Sequence, residues 1–193
     1  MNFKTSTEKV KPNKLQYVLN RLLPNFIRIK ECREVADDFN ARYDAISKTY
    51  LYVIERKVEN PLLIEVCWHP IFDFDIETFR NVSKLYVGNH CFDFFGSEEE
   101  KDGKILSIED VGVEEKGNYV LWRVKGRSFL RYQVRFMVGT AYEIAAGRTS
   151  IAEITSRLDG TNKTTVHHKA PASGLILEKV EYDFERSENL AKE

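Results

Sequence analysis

The chain has 193 residues, 42% apolar and 31% charged, and its 29 basic and 30 acidic residues leave a formal net charge of −1. That length buries roughly 70% of the unfolded surface, so no disulfide staple is needed, and the composition excludes disordered, collagen-like and solenoid chains. A generally basic nucleic-acid coat is excluded too, but a local basic patch is not.

The opening MNFKTSTEKVK is polar and does not read as a signal peptide. No run of eighteen apolar residues occurs, so no membrane span is expected. Residues 13–22 read as a helix, with Leu15, Val18, Leu19 and Leu22 at helical spacing and Pro24 as the stop. FIRI at 26–29 reads as a short strand, 43–54 as a strand and 62–68 as another. In the second of these, Tyr50, Tyr52 and Ile54 share one face. A helix fits 75–88, capped by Asp75 and stopped by Gly88. Residues 96–104 form a charged loop. Two strands, 105–111 and 118–124, follow, joined by a polar turn.

Residues 129–145 make the strongest predicted helix, with an apolar stripe of Leu130, Val134, Met137, Val138, Ala141 and Ile144. Ser150 and Glu153 read as a capping box for a short helix ending near Gly160. A final strand spans 174–182, before a polar tail. The expected fold is α+β: a mixed, mainly antiparallel sheet with helices packed on one face.

Charge is unevenly distributed. Residues 93–116 hold nine acids and three lysines, whereas 127–148 hold four arginines and one glutamate. On a helix, Arg127, Arg131 and Arg135 would stack along one side, either as a solvated face or as a row for phosphates. Arg135 sits in an apolar run and calls for a carboxylate or phosphate partner. Tyr50 and Tyr52 suit a half-buried aromatic face or a base-stacking platform. Arg42 could pair with Asp44 or reach a phosphate. His167–His168 and His90–Cys91 lack metal-ligand spacing. Cys32, Cys67 and Cys91 are odd in number and far apart, which fits buried thiols in a reducing compartment, the cytoplasm, better than a disulfide scaffold.

Three blocks go further. LNRLLPNFIRIKECREVADDFNARYDAISKTYLYVI (19–54), GRSFLRYQVRFMVGTAYEIAAGR (126–148) and KAPASGLILEKVEY (169–182) resemble, in order, the bacterial-type tRNA pseudouridine synthase A family. The resemblance implies isomerisation of uridine at positions 38 to 40 of the tRNA anticodon stem-loop. It also implies two similar α/β domains around an RNA cleft, a homodimer, and no metal or cofactor. The family's nucleophile is an aspartate in a Gly-Arg-Thr-Asp motif, which is absent here. Neither Asp44 nor Asp93 replaces it.

By the same resemblance, Tyr50 packs against the target base and handles a proton, and Arg135 pairs with the nucleophilic aspartate. Asn40, Arg42, Arg127 and Arg131 contact RNA, and Leu175 lines the base pocket. Residues 1–38 are then expected to be the remnant of an N-terminal domain, 39–184 the C-terminal domain and 185–193 a polar tail. The missing segment would come from a separate N-terminal fragment, or be absent because the gene is truncated. The alternative is an inactive RNA-binding protein derived from this family.

Overall fold

Period-two alternation gives the central sheet two unlike faces, and this sorting decides where the helices lie. The computed structural model describes residues 1–5, 10–57, 61–97, 103, 105–164, 166 and 168–184. The polar tail at 185–193, His167 and most of the charged loop at 96–104 lie outside those residues. In chain order the elements are α1 (Pro12–Leu22), β1 (Ala45–Glu55), α2 (Ile76–Lys84), β2 (Gly88–Cys91), β3 (Ile105–Lys116), β4 (Tyr119–Gly126), α3 (Gln133–Ala145), α4 (Ile151–Leu158) and β5 (Leu175–Tyr182). Short 3-10 turns occur at Pro61–Leu63 and Asp93–Phe95. The architecture is α+β, with one five-stranded antiparallel sheet ordered β2-β3-β4-β1-β5.

The chain divides into two units, Met1–Ala45 with Tyr182–Glu193, and Ile46–Glu181. In the larger unit, β1 pairs with β4 so that Tyr50 faces Val124, Tyr52 faces Trp122 and Ile54 faces Val120. These side chains pack with Phe79 and Val82 of α2, Val134, Met137, Val138 and Ala141 of α3, and Ile154 and Leu158 of α4 in one apolar core. Polar groups between β4, α2 and α3 are paired. Trp122 Nε1 donates to Ser83 Oγ at 2.9 Å, Ser83 donates on to Phe79 O, and Tyr86 OH donates to Met137 O at 2.8 Å.

The opposite face is charged. Arg123 bonds Glu114 and Glu178, and Lys125 lies between Glu109 and Glu181. The β3–β4 hairpin turns at Gly117–Asn118, where Gly117 takes φ +60, the geometry of a two-residue turn with glycine first. A register shift between Ile108 and Asp110 keeps apolar residues inward on both sides of it.

In the smaller unit, α1 buries no side chain. The FIRI segment is not a strand, because α1 takes its backbone groups: Asn20 and Gln16 donate to Ile29 O, and Ile29 N donates to Asn20 Oδ1. Phe39, Tyr182 and Phe184 stack together, with Arg33 over the Phe184 ring.

Other expectations also shift. Residues 62–68 form a 3-10 turn and bends, and Trp68 alone bridges to Ile54. The α2 helix is capped by Asp75, which accepts from Thr78 N at 2.7 Å, but ends at Lys84, leaving Gly88 to open β2. No capping box forms at α4. Thr149, not Ser150, bonds the Glu153 carboxylate, which also pairs with Arg157 one turn on.

Gly139 fixes how close the chain comes to α3. A Cβ there would stand 2.1 Å from His168 O and 2.8 Å from Ala170 N. Gly139→Ala is expected to destabilise the fold by about 1–3 kcal/mol or more, measured by urea unfolding. On the charged face, bonds from Lys179, Ser47 and Lys125 lower the Glu181 pKa to about 2. Its stabilising contribution is thus whole above the ordinary glutamate range and is lost as pH falls toward that value. Carboxyl-detected NMR titration is expected to show this midpoint, and Ser47→Ala to raise it.

Candidate functional site

The site begins with the turn that feeds α3. Leu130 N donates to Gln133 Oε1 at 2.8 Å, and Gln133 N donates to Leu130 O at 3.1 Å. This closed loop delays the helix to Gln133 and sets Tyr132 at φ +70, a left-handed position rare for an aromatic residue. The predicted helix from 129 is thereby corrected. Arg127 and Arg131 precede it and do not stack with Arg135 along one helical face.

The turn gathers cations by another route. The guanidinium carbons of Arg131 and Arg135 lie 4.9 and 5.5 Å from the Tyr132 ring centroid, and Lys169 Nζ lies 4.6 Å from it. Each distance falls within cation–π range. Arg127 is exposed and takes no part in this cluster.

Arg135 is held at one atom. Its Nε donates to Ala170 O at 2.7 Å, and Ala170 N donates back to Arg135 O at 3.1 Å. Its two terminal nitrogens have no acceptor among the described residues. Close by, Tyr52 is fully buried and donates to Pro171 O at 2.7 Å. Burial holds the Tyr52 phenol far above its ordinary pKa, and the charge of Arg135 acts against that rise.

Tyr50, two residues earlier on the same sheet face, is half-buried and packs edge-to-face on Phe129 at 5.1 Å. Burial raises its pKa as well, so the phenol is protonated at neutral pH and can donate a hydrogen bond. Leu175 opens β5, partly buried against the core, and its N donates to Ala172 O. The preceding Gly174 lies under the Tyr52 ring, where a Cβ would come within 2.6 Å of Cε1.

Asn40 and Arg42 belong to the smaller unit. Asn40 Oδ1 accepts from Arg42 N and Tyr43 N, and Asn40 N donates to Asp44 Oδ2. The Arg42 guanidinium lies over the Tyr43 ring, and the expected Arg42–Asp44 pair does not form among the described residues. The larger unit thus brings Arg135 together with two residues that sequence reasoning missed, Tyr132 and Lys169, while Tyr50 packs on Phe129 and Leu175 against the core. A positive φ at an aromatic residue carries no sequence signature, and Lys169 stood among ordinary surface lysines.

A second titratable group lies at the end of β1. The buried Glu55 carboxylate is 3.1 Å from His69 Nδ1, and burial together with the charge of Glu55 raises the nearby Cys67 thiol. A thiol pushed up in this way is a poor nucleophile. Among the described residues, no group of three His, Cys, Asp or Glu side chains could hold a metal ion.

Residues 82–183 match the family model described as tRNA pseudouridine synthase. The chain is 33% identical over 183 residues to tRNA pseudouridine synthase A of Thermoanaerobacter sp. (strain X514), covering 94% of this chain and 75% of that protein. It is 34% identical over 180 residues to tRNA pseudouridine synthase A of Aquifex aeolicus (strain VF5), covering 93% and 73%. It is 33% identical over 179 residues to tRNA pseudouridine synthase A 2 of Bacillus anthracis, covering 92% and 73%.

Burial raises the pKa of the Tyr50 phenol, and Phe129 is the ring packed edge-to-face on it. Phe129→Ala is expected to bring its titration back toward about 10, read from the Tyr50 Cζ resonance.

Proposed function

The chain belongs to the tRNA pseudouridine synthase family, and from that premise we propose that it isomerises uridine to pseudouridine in the tRNA anticodon stem-loop, at positions 38 to 40. The nucleophilic aspartate is supplied by a segment outside these 193 residues. The sequence contains no Gly-Arg-Thr-Asp, and its similar string, Gly147-Arg148-Thr149-Ser150, ends in the serine that precedes α4. The observation that carries this reading is the guanidinium of Arg135. Its Nε is anchored on Ala170 O, and its two terminal nitrogens meet no acceptor among the described residues. A fork held in this way suits the two oxygens of an incoming carboxylate.

The reaction breaks the N1–C1′ bond and forms C5–C1′. The uracil takes up a proton at N1 and loses the one at C5. The target nucleotide must be flipped out of its stack, and the detached base must be held while it turns. In this reading Tyr50 and Leu175 wall the slot that holds the base. Arg135 orients the nucleophile. Its ion pair, made in a partly buried place, is worth more than one in open water. The raised Tyr50 phenol enters the reaction as a donor, and it receives the C5 proton only if it is first deprotonated.

Asn40, Arg42, Arg127 and Arg131 contact the RNA, and their phosphate bonds position it without reading its sequence. Residues 39–184 form the C-terminal synthase domain, and 1–38 belong to a similar N-terminal one. Two copies act together in the cytoplasm. The exposed Tyr17, Leu22 and Phe26 of the smaller unit favour association, either with a second copy or with the aspartate-bearing segment.

The test is tritium release from C5-labelled uridine in tRNA. The chain alone is expected to release none, and addition of the aspartate-bearing segment in trans to restore release. In the restored enzyme, Arg135→Ala and Tyr50→Phe are each expected to lower the rate about 100-fold or more. If tRNA is bound but release fails under both conditions, the chain is the inactive RNA-binding alternative, a reading that the absent motif favours.

A further inference from the structure

We propose that α1 is a further contact for RNA: Lys14 and Arg21, along one exposed side of the helix, grip backbone phosphates of the tRNA. The proposal rests on the reading that tRNA is the substrate, and the surface it adds lies in the smaller unit.

The first argument is the distribution of charge. Residues 9–30 carry six basic residues and no acid, and so do residues 116–142. These two runs hold twelve of the 29 basic residues and none of the 30 acids. The second run leads through β4 into α3 and contains Arg127, Arg131 and Arg135, already proposed for RNA and for the nucleophile. The first contains α1, whose cations have no role so far. In a chain of net charge −1, a run without acids is where a polyanion meets least repulsion.

The second argument is a contrast among the four helices. α2, α3 and α4 each carry a glutamate that pairs with an arginine: Glu77 with Arg80, Glu143 with Arg148 and Glu153 with Arg157. The eleven residues of α1 include no carboxylate. An exposed helix side kept only for solubility accepts charges of both signs.

The third argument is geometry. Lys14 and Arg21 are seven residues apart, two turns, so they share one side of α1 and stand about 10 Å apart along its axis. Both are exposed, as is Tyr17 between them. Arg21 Nη1 donates to the Tyr17 hydroxyl at 2.9 Å, and its guanidinium carbon lies 5.7 Å from the ring centroid. The fork is thus held in place, which suits phosphate oxygens. A second side, Gln16 and Asn20, bonds the backbone oxygens of Ile29 and Lys30 and fixes the helix on its own chain. Arg28 Nη1 donates to Asn20 O and brings another cation to the end of α1.

The occupant is RNA rather than an anionic membrane. An interfacial helix lays its apolar side into the bilayer. Here Leu15 and Leu19 of that side are already half-covered, and the basic side is turned roughly a quarter-turn away from Leu15, Val18 and Leu22.

The experiment measures binding of fluorescently labelled tRNA to the full chain across a potassium chloride series. Wild type is compared with Lys14→Gln/Arg21→Gln and with a control pair in the sheet, Lys116→Gln/Lys179→Gln. Glutamine keeps the helix propensity, so the thermal midpoint is expected to stay. The α1 pair is expected to bind more weakly and to flatten the slope of log affinity against log salt by about 1.4–1.8, the loss of two phosphate contacts. The exchange Lys14→Arg/Arg21→Lys and the sheet pair are expected to keep the wild-type slope. An α1-pair slope equal to wild type overturns the proposal and leaves the RNA reading intact. Equal flattening by both Gln pairs also overturns it, because net charge alone then acts. Vesicles of phosphatidylserine and phosphatidylcholine are the second probe. Vesicle binding that the α1 pair abolishes, with its tRNA slope unchanged, assigns this side to a lipid surface and overturns the proposal. Absence of salt-dependent tRNA binding by the wild-type chain overturns both readings.

Discussion

The arrangement of the larger unit depends on one close approach, the docking of residues 168–171 across α3. Gly139 makes it possible, since any side chain there would collide with the His168 carbonyl. The contact is then locked by paired bonds. Ala170 exchanges hydrogen bonds with Arg135 in both directions, and Tyr52 reaches from β1 to Pro171 O. A hydrogen bond from a charged group contributes about 1.5–3 kcal/mol. The strap ties α3 to β1, and it leads directly into β5 through Gly174. Each side chain proposed for the chemistry either lies on this strap or touches an element that it holds.

The two tyrosines of β1 show how the strap divides labour. Tyr50 and Tyr52 share a sheet face, two residues apart. Tyr52 is sealed under Gly174, and its hydroxyl is spent on Pro171. Its burial and its bond make it a structural post. Tyr50 stands one step further along the strand and keeps part of its surface open beside Phe129. The difference arises from the neighbours, since the residue type and the period are the same.

This also explains what could be read in the sequence. Period-two alternation gave the correct inner face of β1 and β4, and helical spacing gave the buried stripe of α3. Those signals survive because burial acts on every residue of the element. Signals that depend on a single bond did not survive. FIRI has strand composition, but Asn20 and Gln16 claim its backbone. Ser150 and Glu153 have capping-box spacing, but the adjacent Thr149 takes the carboxylate. Leu130 fits the α3 stripe, but Gln133 folds back on its amide and the helix starts later. At the site, an arginine in an apolar run called for a charged partner, and Arg135 instead has the Ala170 carbonyl at Nε. Lys169 was not legible, because its neighbours come from a different part of the chain.

The left-handed backbone at Tyr132 is the point where local preference yields to the site. Such a conformation costs about 1–2 kcal/mol for a non-glycine residue, and the Leu130–Gln133 loop is what holds it. A helix begun at residue 129 would relieve that strain. It would also place Arg127, Arg131 and Arg135 in a row on one face, as three similar phosphate contacts. The late start breaks the row and sets Arg131 and Arg135 around the same ring, with Lys169 brought in by the strap. Three equivalent cations would grip a backbone and nothing more. Here one guanidinium is anchored at Nε on Ala170 O while its neighbours come from a turn and from the strap, so the cations around the ring are unequal by construction.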